Sequence, residues 1–256
     1  MNLRTAPAEQ PEATGNPWVV GRLANGVPRL RLLCLPHAGG SAGSFAPWRP
    51  VLPAGFELVP VELPGHGTRA GLPYAASVAE LVAGLLDALA GELAVPYAVF
   101  GHSFGALLAL EFALEAGRRG LPAPAAVLVS AARPPQLAAT RERPQTDAEL
   151  TAWLRATGGL PAELLRHTEY VGRVLATIRS DLGLVERHVW PAPRPLPFPL
   201  HVLGGRADPV VSPAELEEWA EYEGPDLTIT VHPGGHFYLF EQPGVVLTGI
   251  AATLTE

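Results

Sequence analysis

The sequence predicts an α/β fold, a mostly parallel central sheet flanked by helices, with a helical segment inserted into it. Three observations carry that expectation. Short apolar runs alternate with longer helical patterns, the signature of parallel strands joined by crossover helices. With 48% hydrophobic and 17% charged residues over 256 positions, the chain can bury the core of one large domain. The alternation is interrupted once, from Arg133 to Pro195, where no strand-like run occurs.

Taken in order, residues 1–24 begin polar and proline-rich (MNLRTAPAEQPEATGNPW) and read as a flexible tail. They lack the basic start and apolar stretch of a signal peptide, and no run is long enough to span a membrane, so a cytoplasmic protein is expected. The core is expected in residues 25–132 and 196–256. Its strand candidates are Leu30 to Leu35, Phe56 to Val61, Tyr97 to Phe100, Ala126 to Ser130, Leu200 to Leu203 and Leu227 to Val231. Its helix candidates are Val78 to Leu93, Phe104 to Arg118, Pro213 to Tyr222 and Gly244 to Leu254. The insertion, residues 133–195, reads as a helical lid. Within it Val171, Val174, Leu175, Ile178, Leu182 and Val185 recur at helical spacing and form one apolar stripe. Alternate prolines from Pro191 favour a stiff, extended return to the sheet.

Composition excludes several function classes. Net charge is −7 and all 18 basic residues are arginine, so an acidic body argues against nucleic acid as the main partner. Cys34 is the single cysteine, which leaves no disulfide framework or cysteine-rich metal site and fits a reducing compartment. No HExxH or comparable metal-ligand spacing occurs.

The pattern G-x-S-x-G occurs twice, as GGSAG around Ser41 and GHSFG around Ser103. With seven serines and so many glycines, a chance match is on the order of 0.1 per chain, so context decides. A nucleophile elbow needs a strand running straight into a sharp turn, small residues on both sides of the serine, and a helix after it. Ser103 has YAVF before it, Gly101 and Gly105 beside it, and ALLALEFALEAG after it. Ser41 is separated from its strand by Pro36 and two glycines and is followed by Pro47 and Pro50, a loop and short helix. Ser103 is therefore the candidate nucleophile.

The PHAGG segment after the first strong strand resembles the loop that supplies an oxyanion-hole amide in α/β-hydrolases. Two backbone N–H groups stabilise the negative oxygen that forms when serine attacks a carbonyl. Phe104, after the nucleophile, and Ala38 are the expected donors. The nucleophile also needs a base and an orienting carboxylate, in the chain order serine, acid, histidine. Of five aspartates, Asp208 alone follows directly on a late strand, in HVLGGRADP. Of eight histidines, His236 lies in the glycine-rich loop HPGGHF after the final strand. His232 sits at the strand end itself, His102 is expected to turn inward, and His37 and His66 read as loop residues near the mouth of the site.

Together these residues resemble the stand-alone type II thioesterases of polyketide and nonribosomal peptide synthesis, relatives of the medium-chain fatty acyl thioesterase. The resemblance covers roughly Leu30 to Leu254 and rests on LPHAGGSAGSF, PGHGTR, GHSFGALLALEFA, TIRSDLGLVE, GGRADPVV and PGGHFYL. It implies an α/β-hydrolase fold with a helical cap and a Ser103, Asp208, His236 triad. It also implies a substrate offered as an acyl thioester on the phosphopantetheine arm of an acyl or peptidyl carrier protein, from which stalled or aberrant acyl groups are cleared. No cofactor of the enzyme's own is implied. Family members often carry arginine where this chain has His66, and methionine where it has Phe104. The same triad would serve a general carboxylesterase or an acyltransferase, and the fold without chemistry would serve a carrier-binding module. Between Arg133 and Pro195 nine arginines face seven acidic residues, a net of +2 against −9 for the remainder, so an acidic carrier protein is expected to dock near the lid.

Overall fold

The computed structural model describes residues 15–138, 144, 146–159, 163, 166–222 and 224–255. Its strands are β1 (Leu23–Ala24), β2 (Leu30–Leu35), β3 (Phe56–Pro60), β4 (Tyr97–His102), β5 (Ala126–Ser130), β6 (Leu200–Gly205) and β7 (Leu227–His232). They form one sheet in the order β1-β3-β2-β4-β5-β6-β7, with every pair parallel except β1 with β3. Helices α1 (Val78–Leu89), α2 (Phe104–Arg118), α3 (Pro135–Ala138), α4 (Asp147–Thr157), α5 (Thr168–Arg187), α6 (Pro213–Glu217), α7 (Tyr238–Glu241) and α8 (Pro243–Thr255) complete the architecture. Among the described residues no helix is long and apolar enough to cross a membrane.

The period of two along each strand divides the core into two layers. Leu33, Leu35, Val59, Val99, Val127 and Val202 face α1 and α2, whereas Leu32, Cys34, Leu58, Phe100 and Leu128 face Trp48, Tyr238 and α8. α1 is amphipathic: Val78, Leu81, Val82, Leu85, Leu86 and Leu89 are buried, and Ser77 caps it by accepting from the Glu80 amide. α2 is apolar around most of its circumference and is buried accordingly, from Phe104 to Leu114 without interruption. α5 packs against it.

The six expected strands are all present. β4, β6 and β7 run one or two residues further at their carboxyl ends, and β3 ends at Pro60 while Val61 makes an isolated antiparallel bridge to Val19. β1 was not foreseen, being two residues long. It also alters the reading of the N-terminus. Residues 1–14 lie outside the described residues, but from Gly15 the chain is bound to the body: Val20 donates to the Pro60 carbonyl at 3.2 Å, and Arg69 stacks on Trp18 at 3.9 Å. Expected helices ending at Leu93 and Tyr222 stop as α-helix at Leu89 and Glu217 and continue as short 3-10 turns.

Among the described residues, the segment 133–195 contains α3, α4 and α5. A Thr146–Glu149 capping box starts α4, and Gly158 at φ 77° ends it. The foreseen stripe of α5 is real: Leu175 and Ile178 are buried with Leu150 and Leu154 of α4, while Val185 joins the main core. After α5 the chain returns without regular structure, burying Leu196 and Phe198.

Candidate active site

β4 enters Ser103 and α2 begins at the next residue, so the serine sits at the point of reversal. Its φ of 54° and ψ of −114° lie where side-chain-bearing residues seldom go, a strain of about 1–3 kcal/mol that the surroundings must hold. The bend brings backbones into contact. A β-carbon on Gly101 would lie 1.9 Å from the Gly105 carbonyl oxygen, and one on Gly105 would lie 2.3 Å from the Leu35 carbonyl oxygen. Ser103 donates its N–H to the Ser130 carbonyl at 2.7 Å, while its side chain is half-buried and makes no capping bond. Ser41 has ordinary extended geometry and caps the 3-10 segment Ala42–Val51, its N–H donating to Ser44 Oγ. Only Ser103 is in an elbow.

Asp208 and His236 are brought together from the loops after β6 and β7. His236 Nδ1 lies 2.8 Å from Asp208 Oδ2, and both side chains are almost wholly excluded from solvent. Asp208 Oδ1 accepts from the amides of Val210 at 2.7 Å and Val211 at 3.2 Å, which fixes the carboxylate from its other side. Because the carboxylate accepts, Nδ1 carries the proton and Nε2 presents a lone pair. The two loops are stitched by Arg206 N–H to the His232 carbonyl and Ala207 N–H to the Gly234 carbonyl. They pack so tightly that a β-carbon on Gly205 would meet the Gly235 carbonyl oxygen at 2.2 Å. The expected cap, Ser212, accepts from the Glu215 amide and leaves Asp208 for this pairing.

Three further histidines surround the pair. His102 turns inward, its Nδ1 3.0 Å from Ser130 Oγ, which is 2.7 Å from the Tyr238 hydroxyl. The His102 and His236 ring centroids are 5.1 Å apart, which sets His236 beside the elbow. Burial, and secondarily the charge of His236, pushes His102 well below the ordinary histidine range and His37 down to about 3. Both rings stay neutral. His232 stacks on Tyr238 with its Nε2 buried and unpartnered, so it is a core residue.

The loop after β2 packs Ala38 against the cluster formed by α4 and α5. Gly40 donates to the His37 carbonyl at 2.8 Å, and Gly39 at φ 73° occupies the third position of this turn, where glycine is favoured. Phe104, as the first residue of α2, has no acceptor within its helix for its N–H. The loop is also held by two buried carboxylates that the motif reading did not assign. Glu62 Oε1 accepts from the Ala42 amide at 3.1 Å, and Asp181 Oδ2 of α5 accepts from the Gly39 amide at 2.8 Å. His66 is not at the mouth: it is buried, with Nε2 2.9 Å from the same Asp181 oxygen. A carboxylate within the apolar stripe of α5, three residues after Ile178, was the sequence signal for Asp181.

The family profile described as Thioesterase domain matches residues 30–254. The chain belongs to the thioesterase family. It is 28% identical to the gramicidin S biosynthesis protein GrsT of Aneurinibacillus migulanus, over 88% of this chain and 89% of that one. Some other curated relatives are far longer, the chain spanning 10% of AMB antimetabolite synthetase AmbE of Pseudomonas aeruginosa and 18% of phenyloxazoline synthase MbtB of Mycobacterium tuberculosis. Among solved structures, RedJ, a thioesterase from the prodiginine biosynthetic pathway of Streptomyces coelicolor, is 34% identical with a TM-score of 0.81, covering 90% of this chain and 89% of RedJ. BorB, the type II thioesterase of the borrelidin biosynthetic cluster, is 32% identical with a TM-score of 0.76, covering 91% and 97%. This thioesterase is an α/β-hydrolase of the type II kind, a hydrolase acting on thioesters.

Proposed function

We propose that this thioesterase removes acyl groups from the phosphopantetheine arm of acyl or peptidyl carrier proteins through an acyl-Ser103 intermediate. The observation that carries the mechanism is the strained elbow at Ser103 beside a solvent-excluded His236–Asp208 pair. His236 Nε2 takes the proton of Ser103 Oγ as the oxygen attacks the thioester carbonyl. The amides of Ala38 and Phe104 receive the developing oxyanion. The tetrahedral intermediate collapses, the C–S bond breaks, and His236 returns the proton to the departing pantetheine thiolate. Water, deprotonated by the same His236, then attacks the acyl-Ser103 ester, releases the acid and restores the serine. A thiolate is a good leaving group, so one histidine suffices for both halves.

In this reading residues 133–195 form a lid over the site, and the lid is where the carrier docks. Arg155, Arg173, Arg187 and Arg194 are exposed there, whereas Arg133 pairs with Glu215 and Arg179 with Asp147. Arg141 and Arg143 of the same segment lie outside the described residues. The lone, buried Cys34 is compatible with a reducing, cytoplasmic setting.

Two measurements test the proposal. A fluorophosphonate should label Ser103 as read by intact mass, with the adduct lost in Ser103→Ala; labelling at Ser41 or elsewhere overturns the nucleophile. Reversing Arg155, Arg173 and Arg187 to glutamate should slow turnover of an acyl carrier protein while sparing a small acyl thioester. Equal losses on both substrates would sink the docking surface.

A further inference from the structure

The loop carrying Ala38 is not self-supporting. On the body side Glu62 holds its far end, accepting from Ala42 and from the Thr68 amide at 3.2 Å. On the other side α5 supplies the polar partner and the closest packing. Asp181 accepts from the Gly39 amide, and Ile178 packs so close that a β-carbon on Gly39 would lie 2.4 Å from its Cγ1. Ala38 itself rests against the cluster of Leu150, Leu154, Leu175 and Ile178. An acceptor and an apolar support from one helical turn thus flank the expected oxyanion donor.

The Asp181 carboxylate is fixed in turn by His66. His66 Nδ1 lies 2.9 Å from the Pro64 carbonyl, which can only accept, so Nδ1 carries a proton. Nε2 faces Asp181 Oδ2 at 2.9 Å, and a second proton is needed between them. An imidazole protonated on Nδ1 alone would set a lone pair against a carboxylate oxygen. The arrangement is complete when the pair is imidazolium and carboxylate.

We propose that Asp181 is a positioning residue that makes the oxyanion loop competent only when α5 is docked, and that the proton on His66 Nε2 keeps it docked. The proposal rests on the assignment of Ala38 as an oxyanion donor. With α5 displaced, the Gly39 amide loses its acceptor and Ala38 keeps only its contact with the main core, so the thioester can enter but its oxyanion is not stabilised. Hydrolysis is thereby coupled to closure of the lid.

The charges around His66 set the pH at which the latch fails. It faces Asp181 of α5, Glu62 and the Pro64 carbonyl of its own segment, the neutral Tyr74 ring, and His37 of the oxyanion loop, which burial keeps uncharged. Burial opposes its charge, but the hydrogen bond to Asp181, that residue's charge, the Pro64 carbonyl and Glu62 outweigh it and raise His66 above the ordinary 6.5. A raised value means the latch is fully present below 6.5 and is lost as pH rises through the raised value.

The test uses a small acyl thioester, so carrier docking plays no part, and compares wild type, Asp181→Asn, His66→Gln and Ser103→Ala. Both partners meet the one oxygen Oδ2, and an asparagine oxygen in its place carries no charge to pair with the His66 imidazolium, so Asp181→Asn should lower kcat by about 10- to 100-fold with KM within about threefold. Glutamine places a permanent, uncharged donor near the Nε2 position. The fall of kcat at alkaline pH in the wild type should therefore vanish in His66→Gln. An Asp181→Asn kcat within about twofold of wild type, or the same alkaline fall in both wild type and His66→Gln, overturns the proposal. Should Asp181→Asn not fold, the two pH profiles decide alone. Activity surviving in Ser103→Ala would instead overturn the nucleophile on which the proposal rests.

Discussion

Ile178 of α5 and Gly39 of the loop after β2 are in contact with no room for a β-carbon between them. The contact joins two segments 139 positions apart in sequence, one expected to carry an oxyanion donor and the other to cover the site. A substitution at either end should therefore be felt in turnover.

Gly39→Ala should lower kcat by about tenfold or more, since alanine is strained at φ 73° and its methyl drives against Ile178. Adding Ile178→Ala removes the collision but not the strain. Steady-state kinetics should show the double variant recovering part of the loss; a double variant worse than Gly39→Ala would mean that the helix is needed for more than contact.

Asp208→Asn should reduce kcat by about 10³- to 10⁴-fold while the fold stays intact, because an amide no longer selects the His236 tautomer with Nε2 free. Burst kinetics and thermal melting separate the two effects. A loss matched by a large fall in melting temperature would make Asp208 a structural residue.

Gly105→Ala tests the elbow. Its methyl would meet the Leu35 and Pro36 carbonyl oxygens, which are backbone atoms at the end of a central strand and cannot swing aside. Denaturant unfolding should show destabilisation of about 3 kcal/mol or more, or no soluble protein. A stable, active Gly105→Ala would mean that strand and helix are further apart than described.

Most of the fold was legible because it is written locally. Short apolar runs gave six of the strands, and the run after Ser103 gave α2 to the residue. The candidate serine, acid and histidine stand out in the sequence for the same reason, each sitting just past a strand end. What escaped was long-range. β1 is too short to have a pattern, and nothing local to Trp18 signals its stacking with Arg69, 51 positions away. Asp181 lay off the expected post-strand loops, and its partners Gly39 and His66 are 142 and 115 positions away, so no spacing rule links them. His66 was read as a mouth residue because a polar ring in a glycine-rich loop gives no hint that a helix will cover it.

Cys34 should be silent in the native protein. It is fully buried in β2, and burial raises its thiol well above the ordinary range. Reaction with a thiol reagent should proceed only at the rate of unfolding in denaturant. Fast labelling without denaturant would contradict the packing of Cys34 against Trp48 and Phe100.

The central claim is that Ser103 deacylates carrier-bound thioesters. The decisive measurement is hydrolysis of one short acyl group offered on a holo carrier protein, on a small pantetheine mimic and as an oxygen ester, with Ser103→Ala in parallel. The account predicts the highest kcat/KM for the carrier-bound thioester, abolished in the variant. An oxygen ester cleaved as fast or faster would leave the serine chemistry standing but contradict the substrate, and would make the protein a general esterase.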